Sequence, residues 1–268
     1  MNQRVVAAIA LGLPGLAAST ACSDAHESAT PTPVELTVYA ATSLRDALQE
    51  IGKAFEEREG VKLVFNFGSS GDLSRQIVAA NQADVFFSAD EKELDRVEQA
   101  GLVEAGTRRS LLSNQLVVVE PADATPSIFR SPFDPGQLAG AELELLSLAN
   151  TETVPAGKYT KTWLQSLGVW ERVASKVLPG IDVRAALAAV ESGGARAGIV
   201  YRTDAARSSK VRVVFAVPVE EGPPISYPLA VLARRPNTMR AQQLALFLAT
   251  AEARAMFEHH GFLLLGAQ

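Results

Sequence analysis

A regular alternation of two kinds of segment constrains the fold of this chain more than any other feature of its sequence. From Val34 onward, short runs of β-branched, aliphatic and aromatic residues alternate with segments whose apolar residues recur at helical spacing. The predicted strands are 35–39, 61–67, 84–88, 116–119, 143–148, 197–201, 211–217 and 227–233. Strands that alternate with helices predict an α/β fold with mostly parallel sheets.

The predicted helices lie between these strands. In the first one, Leu44, Leu48, Ile51 and Phe55 share one face, and Gly60 follows as a C-terminal stop. The next carries Leu73 and Ile77 on its inner face, and the later helices are 91–100, 157–167, 183–191 and a long final helix at 239–259.

The chain is long enough for two such lobes. Its 268 residues exceed one small domain and suit two α/β lobes of ordinary size. We expect the chain to cross between lobes near Ser113 and Asn114 and to cross back near Pro224 and Ile225. The predicted divisions are lobe 1 at 34–113, lobe 2 at 114–225 and a return segment of lobe 1 at 226–268.

The first residues have the pattern of an export signal. A positively charged start, an apolar run and small residues before Cys22 predict a signal peptide at 1–21. Two alternatives remain: ordinary cleavage after Ala21, or lipidation of Cys22, which the polar tether at 22–33 favours. Ser19 stands where lipoprotein signals usually have Leu, which argues against lipidation. In both cases we expect an exported protein, and we favour a lipid anchor on Cys22.

Composition excludes several classes of function. With Cys22 as the single cysteine and only three histidines, the chain lacks the ligands for a zinc site built on Cys pairs or a His-rich metal centre. The formal net charge of −5 gives no basic face for nucleic acid.

Four strand-to-helix turns carry the candidate binding residues. These turns, at 40–43, 68–71, 154–157 and 180–183, are rich in small or neutral residues at predicted helix starts. Helix starts have free backbone N–H groups and a positive dipole end, so their convergence would create an anion site without Lys or Arg. The alternative for each serine alone, Ser43 or Ser70, is a simple N-cap.

An esterase is the enzymatic alternative, with Ser69 or Ser70 as nucleophile. The Gly68-Ser-Ser-Gly71 turn is one residue shorter than the G-x-S-x-G elbow of Ser hydrolases. The candidate bases are His259 and His260 at the end of the last predicted helix, where they are more simply explained as solvated cations. The sequence therefore argues against catalysis.

The turns also resemble those of a known family, the periplasmic molybdate-binding proteins of ABC importers. The similar segments, from Leu36 to about Phe262, are VYAATSLRDAL, FNFGSSGDLSRQI, ADVFFSAD, VPAGKYTKTWLQSLG, DVRAALAAVESGGARAGIVYRTDA and ARAMFEHHGF. The resemblance implies a two-lobed periplasmic-binding-protein fold with the ligand cleft between the lobes. It also implies a monomer without cofactor or catalysis, which captures molybdate, and tungstate as well, and delivers it to an ABC permease in the inner membrane.

The resemblance also implies a set of ligand-binding residues. Ser43 and Ser70 would each offer a hydroxyl and a backbone N–H, Ala156 and Val183 a backbone N–H each, and Tyr201 its phenol hydroxyl. Another tetrahedral oxyanion, sulfate above all, remains the alternative ligand. Asp72 lies two residues after Ser70, so the assignment of Ser70 requires its carboxylate to point away from the cleft.

Overall fold

The computed structural model describes residues 34–266. The predicted signal peptide, the tether and Cys22 lie outside the described residues. Within the described range, no helix is both long and apolar enough to cross a membrane.

The described residues form two sheets flanked by helices. The strands are β1 (Glu35–Ala41), β2 (Lys62–Gly68), β3 (Val85–Phe87), β4 (Arg109–Ser113), β5 (Leu116–Pro121), β6 (Leu146–Ala149), β7 (Val177–Gly180), β8 (Ala197–Tyr201), β9 (Val211–Ala216), β10 (Tyr227–Val231) and β11 (Leu263–Leu264). The α-helices are α1 (Arg45–Glu59), α2 (Ser70–Ala80), α3 (Glu91–Gln99), α4 (Pro155–Ser166), α5 (Trp170–Val173), α6 (Val183–Glu191), α7 (Arg202–Ala205), α8 (Thr238–Phe247) and α9 (Ala251–His259). Short 3-10 turns lie at Thr42–Leu44, Pro135–Ala139 and Ala174–Lys176.

Each sheet is the centre of one lobe. Lobe 1 contains the six-stranded sheet, in the order β11-β4-β10-β3-β1-β2, and lobe 2 the five-stranded sheet, in the order β7-β6-β8-β5-β9. The chain passes from lobe 1 to lobe 2 between Ser113 and Leu116, and it returns between Ala216 and Tyr227. The two-lobed α/β architecture predicted from the sequence is therefore confirmed.

Both sheets are mixed, which corrects the expectation of mostly parallel sheets. β1 is parallel to β2 and β3, and β6 is parallel to β7 and β8. β10 is antiparallel to β3 and β4, and β5 is antiparallel to β8 and β9. Parallel neighbours need a crossover, usually a helix, whereas β5 and β10 arrive directly from the other lobe with no helix between.

The prediction of one long final helix at 239–259 is wrong. The segment contains two helices, α8 and α9, separated at Leu248–Thr250. Thr250 has an extended backbone, and its hydroxyl oxygen accepts a hydrogen bond from Ala253 N at 3.3 Å, so it caps a new helix. The predicted strand at 143–148 is also displaced, to β6 at Leu146–Ala149.

Aromatic side chains pack the helices of lobe 1 against its sheet. The ring centres of Phe55 in α1 and Phe247 in α8 are 5.4 Å apart. Phe87 of β3 packs edge to face on Phe257 of α9, with 6.0 Å between their ring centres. These contacts bury the apolar faces that the helical spacing predicted.

Candidate functional site

The register of the parallel strands brings the four candidate turns together in pairs. In lobe 1, Ala41 at the end of β1 pairs with Gly68 at the end of β2. In lobe 2, Ala149 at the end of β6 pairs with Gly180 at the end of β7. Because helices start within a few residues of these strand ends, two helix starts of each lobe lie side by side.

The two pairs of turns face each other across one small cavity. Its volume is about 10 Å³, which is room for about one water-sized group. The lining residues are Ala41, Thr42, Ser43, Gly68, Ser69, Ser70, Val154, Pro155, Ala156, Asp182, Val183 and Tyr201. All five residues predicted to bind the ligand are in this set.

The helix starts at the cavity have few side-chain caps. Among residues 34–266, no side chain caps the 3-10 turn at Thr42–Leu44, α2 or α4. Asp182 caps α6 through Ala185 N at 2.9 Å. N–H groups in a first helical turn have no intrahelical partner, and they lie at the positive end of the helix dipole. The arrangement therefore presents hydrogen-bond donors to a negatively charged ligand.

The two serines of the Gly68–Gly71 turn have different roles. Ser69 donates its hydroxyl proton to Thr153 O of lobe 2 at 3.1 Å, so that proton is already used. Ser70 is fully buried, and its hydroxyl oxygen accepts a hydrogen bond from Ala89 N at 3.0 Å. Its own proton remains available for the cavity that Ser70 lines. Neither Ser70 nor Ser43 makes the side-chain cap that was the simpler alternative for each of them.

Tyr201 carries a buried hydroxyl without a partner. The residue is 1% exposed, and its Oη has no hydrogen-bond partner in the described part of the chain. Burial raises the pKa of Tyr201 well above its usual value, so the phenol keeps its proton at neutral pH. A buried hydroxyl without a partner is costly, and an acceptor atom in the cavity would remove that cost.

Two acidic residues, Asp182 and Asp72, lie at or near the cavity. None of the described lining residues is Lys, Arg or His. The carboxylate of Asp182 accepts hydrogen bonds from Ala185 N and, at 3.2 Å across the cleft, from the Thr42 hydroxyl. Asp72 is half-exposed, forms an ion pair with Arg75 and does not line the cavity. The negative charge at Asp72 is thus directed away from the site.

Ion pairs join the lobes on both sides of the cavity. Arg184 of lobe 2 contacts Asp46 of lobe 1 at 2.6 Å, and Lys158 of lobe 2 pairs with Glu93 of lobe 1. Burial alone would raise the pKa of Glu93, but its hydrogen bonds from Lys158 and Ser74 lower the pKa below its usual value. Glu93 therefore remains a carboxylate where the lobes meet.

Arg184 also contacts a second acid, Asp204 in α7. Asp204 is fully buried, and burial raises its pKa to about 6, although Arg184 opposes the shift. The carboxylates of Asp46 and Asp204 both contact the Arg184 guanidinium, and Asp46 also contacts Arg207 at 2.8 Å.

The sequence did not predict the contacts that Thr42, Asp182 and Tyr227 make at the site. Tyr227 lies 3.1 Å from the Ser43 hydroxyl although the two residues are 184 positions apart in the chain. An Asp at a helix start is a recognisable capping signal, so Asp182 could have been found. A tyrosine within an apolar strand gives no comparable signal.

The structure gives no support for an esterase. His260 Nε2 lies 2.7 Å from Glu50 Oε2 in a contact outside the cavity, and no described histidine lines the cavity with Ser69 and Ser70. Within residues 34–266 no group of three or more His, Cys, Asp or Glu side chains could hold a metal ion.

Comparison with known proteins identifies the family. A family model described as bacterial extracellular solute-binding protein matches residues 36–263. The molybdate-binding protein ModA of Escherichia coli K12 is 37% identical over 228 residues, which are 85% of this chain and 88% of that protein. ModA of Haemophilus influenzae is 32% identical over 230 residues, 85% of this chain and 89% of the relative.

A solved structure supports the fold. The periplasmic molybdate-binding protein of Azotobacter vinelandii matches with a TM-score of 0.75 at 24% identity, over 86% of this chain and all of that one. With the family model covering nearly all the described residues, the chain belongs to the bacterial extracellular solute-binding proteins, which bind solutes and are not enzymes.

Proposed function

We propose that this protein captures molybdate, and tungstate as well, outside the cytoplasm and delivers it to an ABC permease. The observation that carries the proposal is the unpartnered, buried Tyr201 hydroxyl in a cavity where the helix starts of both lobes meet. Ser43, Ser70, Ala156, Val183 and Tyr201 are the proposed ligand-binding residues. The relatives named for molybdate binding support this choice of oxyanion.

The chemistry of the cavity suits a doubly charged anion that must later be released. Neutral N–H and O–H dipoles stabilise the charge, whereas a buried Lys or Arg would add a large desolvation cost and a strong direct attraction. The cavity supplies donors from four helix starts and from hydroxyl groups. These donors suit a ligand whose outer atoms are all hydrogen-bond acceptors.

The contacts between the lobes support binding by closure. The hydrogen bonds from Thr42 to Asp182 and from Ser69 to Thr153 require the lobes to be close together, and so do the interlobe ion pairs. We propose that the lobes close about the two crossings, bury the anion, and so form the surface that the permease recognises. The protein is proposed to act as a monomer, without a cofactor or nucleic acid.

The predicted export signal and the lipid anchor at Cys22 complete the proposal. The family's extracellular character agrees with export. Mass spectrometry of the mature N-terminus is the test, and we expect a diacylated or triacylated Cys22. An unmodified terminus at any other residue would remove the anchor and leave the binding function unaffected.

A thermal shift series tests the function itself. Molybdate and tungstate are expected to raise the melting temperature, with a stabilisation of about 2.7 kcal/mol when the ligand is at 100 times its Kd. Sulfate and phosphate at the same concentrations are expected to give smaller shifts. A shift with sulfate or phosphate, but none with molybdate or tungstate, would refute the assignment.

A further inference from the structure

A chain of buried hydrogen bonds leads from Ser43 into the segments that join the lobes. Ser43 Oγ lies 3.1 Å from Tyr227 Oη, and Asn114 Nδ2 lies 3.1 Å from the same Tyr227 Oη. Asn114 Nδ2 also contacts Thr203 Oγ1 of lobe 2 at 2.9 Å. Asn114 belongs to the first crossing, and Tyr227 directly follows the second.

The geometry settles which way the Asn114 amide faces. Gln115 N donates a hydrogen bond to Asn114 Oδ1 at 2.9 Å, so that atom must be the carbonyl oxygen. The amide nitrogen then has two protons, one for Thr203 Oγ1 and one for Tyr227 Oη. Tyr227 Oη is therefore an acceptor in its bond with Asn114.

The phenol proton of Tyr227 also has a defined acceptor. Tyr227 is fully buried, burial raises its pKa far above the usual value, and the phenol keeps its proton. Among the described residues, the remaining hydrogen-bond partner of Tyr227 Oη is Ser43 Oγ. If Ser43 donated to Tyr227, the phenol proton would be buried without an acceptor, at a cost that native structures avoid. Tyr227 therefore donates to Ser43.

We propose that Tyr227, held by Asn114, is a positioning and specificity residue that forces Ser43 to act as a hydrogen-bond donor toward the ligand. The proposal rests on the proposed oxyanion-binding function. Because Ser43 Oγ accepts the Tyr227 proton, the proton of Ser43 itself is left for the cavity that Ser43 lines.

The consequence concerns protonated anions. Ala89 N likewise donates a hydrogen bond to Ser70 Oγ. Ser43, Ser70 and Tyr201 can therefore each donate a hydroxyl proton to the ligand. Phosphate at neutral pH carries a proton, and the hydroxyl protons already directed into the cavity oppose it, whereas molybdate and sulfate carry none. The Asp182 carboxylate, the charged acceptor among the described lining residues, already accepts hydrogen bonds from Ala185 N and the Thr42 hydroxyl. Tyr227 thus contributes to selection by protonation state, separately from selection by size.

The test compares Tyr227→Phe with the wild type in direct binding of molybdate and in competition by inorganic phosphate. The phenylalanine ring keeps the edge-to-face packing on Phe262 at 5.4 Å, but it frees Ser43 Oγ to accept a proton. We expect molybdate affinity to fall about tenfold and the preference for molybdate over phosphate to fall by at least as much. Tyr39→Phe, which removes a phenol hydroxyl from β1 outside the cavity, is the matched control and should change neither value.

A double variant separates positioning from general damage. In a Ser43→Ala background, Tyr227→Phe should cause no further loss of molybdate affinity, because its effect acts through Ser43. Asn114→Ala tests the same inference by a second route, since it frees Tyr227 Oη to accept a hydrogen bond from Ser43. It should also lower the preference for molybdate over phosphate.

Additive losses, or an unchanged preference over phosphate in both variants, would overturn the inference. Failure of the wild type to bind molybdate or tungstate would instead remove the proposed function, and the inference with it.

Discussion

At the scale of single residues, ligand chemistry in the cleft depends on where a few hydroxyl protons point. Ser69 and Thr42 use theirs in bonds across the cleft, to Thr153 O and to Asp182. Ser70 and Tyr201 keep theirs for the cavity. Neighbouring hydroxyls of the same type therefore differ in function because their partners differ.

Tyr201→Phe is expected to weaken molybdate binding by about 1.5–3 kcal/mol, the value of a hydrogen bond to a charged group. Titration calorimetry measures this loss. In the ligand-free protein the variant should be as stable as the wild type or more stable, because an unpartnered buried hydroxyl is removed. Unchanged affinity would exclude Tyr201 from the site, and Tyr39→Phe is the control.

A pH prediction follows from Asp204. Its pKa of about 6 in the folded protein lies above the ordinary value of 3.8. Its stabilising contribution is therefore fully present below about pH 4 and is lost as the pH rises through 6. Asp204→Asn cannot ionise, so its free energy of unfolding relative to the wild type should rise by about 2 kcal/mol between pH 4.5 and pH 7.5.

Denaturant unfolding at the two pH values measures that change. Asp72→Asn, at a half-exposed position outside the cavity, provides the comparison. A difference between Asp204→Asn and wild type that is the same at both pH values would contradict the raised pKa.

At the scale of elements, the site requires helices to begin very close to strand ends. A Cβ on Gly157, in the first turn of α4, would overlap the carbonyl oxygens of Ala149 and Asn150. The absence of a side chain at this position lets α4 start against the end of β6, so that the Ala156 amide lines the cavity.

Gly157→Ala should therefore destabilise the ligand-free protein by about 1–3 kcal/mol, the usual cost of overpacking. Urea unfolding is the measurement. Gly266→Ala is the matched control, because a Cβ there would meet no atom within 4 Å. Equal stability of the two variants would show that the start of α4 can move without cost.

Local patterns predicted some elements well and could not predict others. Helix 183–191 and strand 197–201 have the predicted bounds, because clear periodicity and glycines mark them. The break before Thr250 was missed, since both halves of that segment have good helix formers. β11 has only two residues and pairs with β4, so its existence depends on a distant partner. Likewise, the direction of the Ser43 proton depends on Tyr227, which no local pattern reveals.

At the scale of the whole molecule, the two lobes approach each other closely beside the cavity. A Cβ on Gly71 of lobe 1 would overlap Thr153 O of lobe 2. Gly71 is in the first turn of α2, where alanine is a better helix former than glycine. A side chain at this position should therefore hinder closure without weakening lobe 1.

Gly71→Ala is expected to lower molybdate affinity tenfold or more while the ligand-free melting temperature stays the same or rises. Small-angle scattering with saturating molybdate should show a less compact protein than the wild type. Gly266→Ala is the control, since a Cβ there would meet no atom within 4 Å and the residue does not line the cavity. Wild-type affinity in Gly71→Ala would mean that this contact is not needed for closure.

The most direct test of the central claim is a calorimetric titration of the mature protein with molybdate in the presence of excess phosphate. The claim is that hydrogen-bond donors without a cation hold a doubly charged oxyanion between the lobes. We expect saturable binding of one molybdate per chain, nearly unaffected by phosphate and weakened by Tyr201→Phe. No binding of molybdate, or loss of binding when phosphate is added, would contradict it.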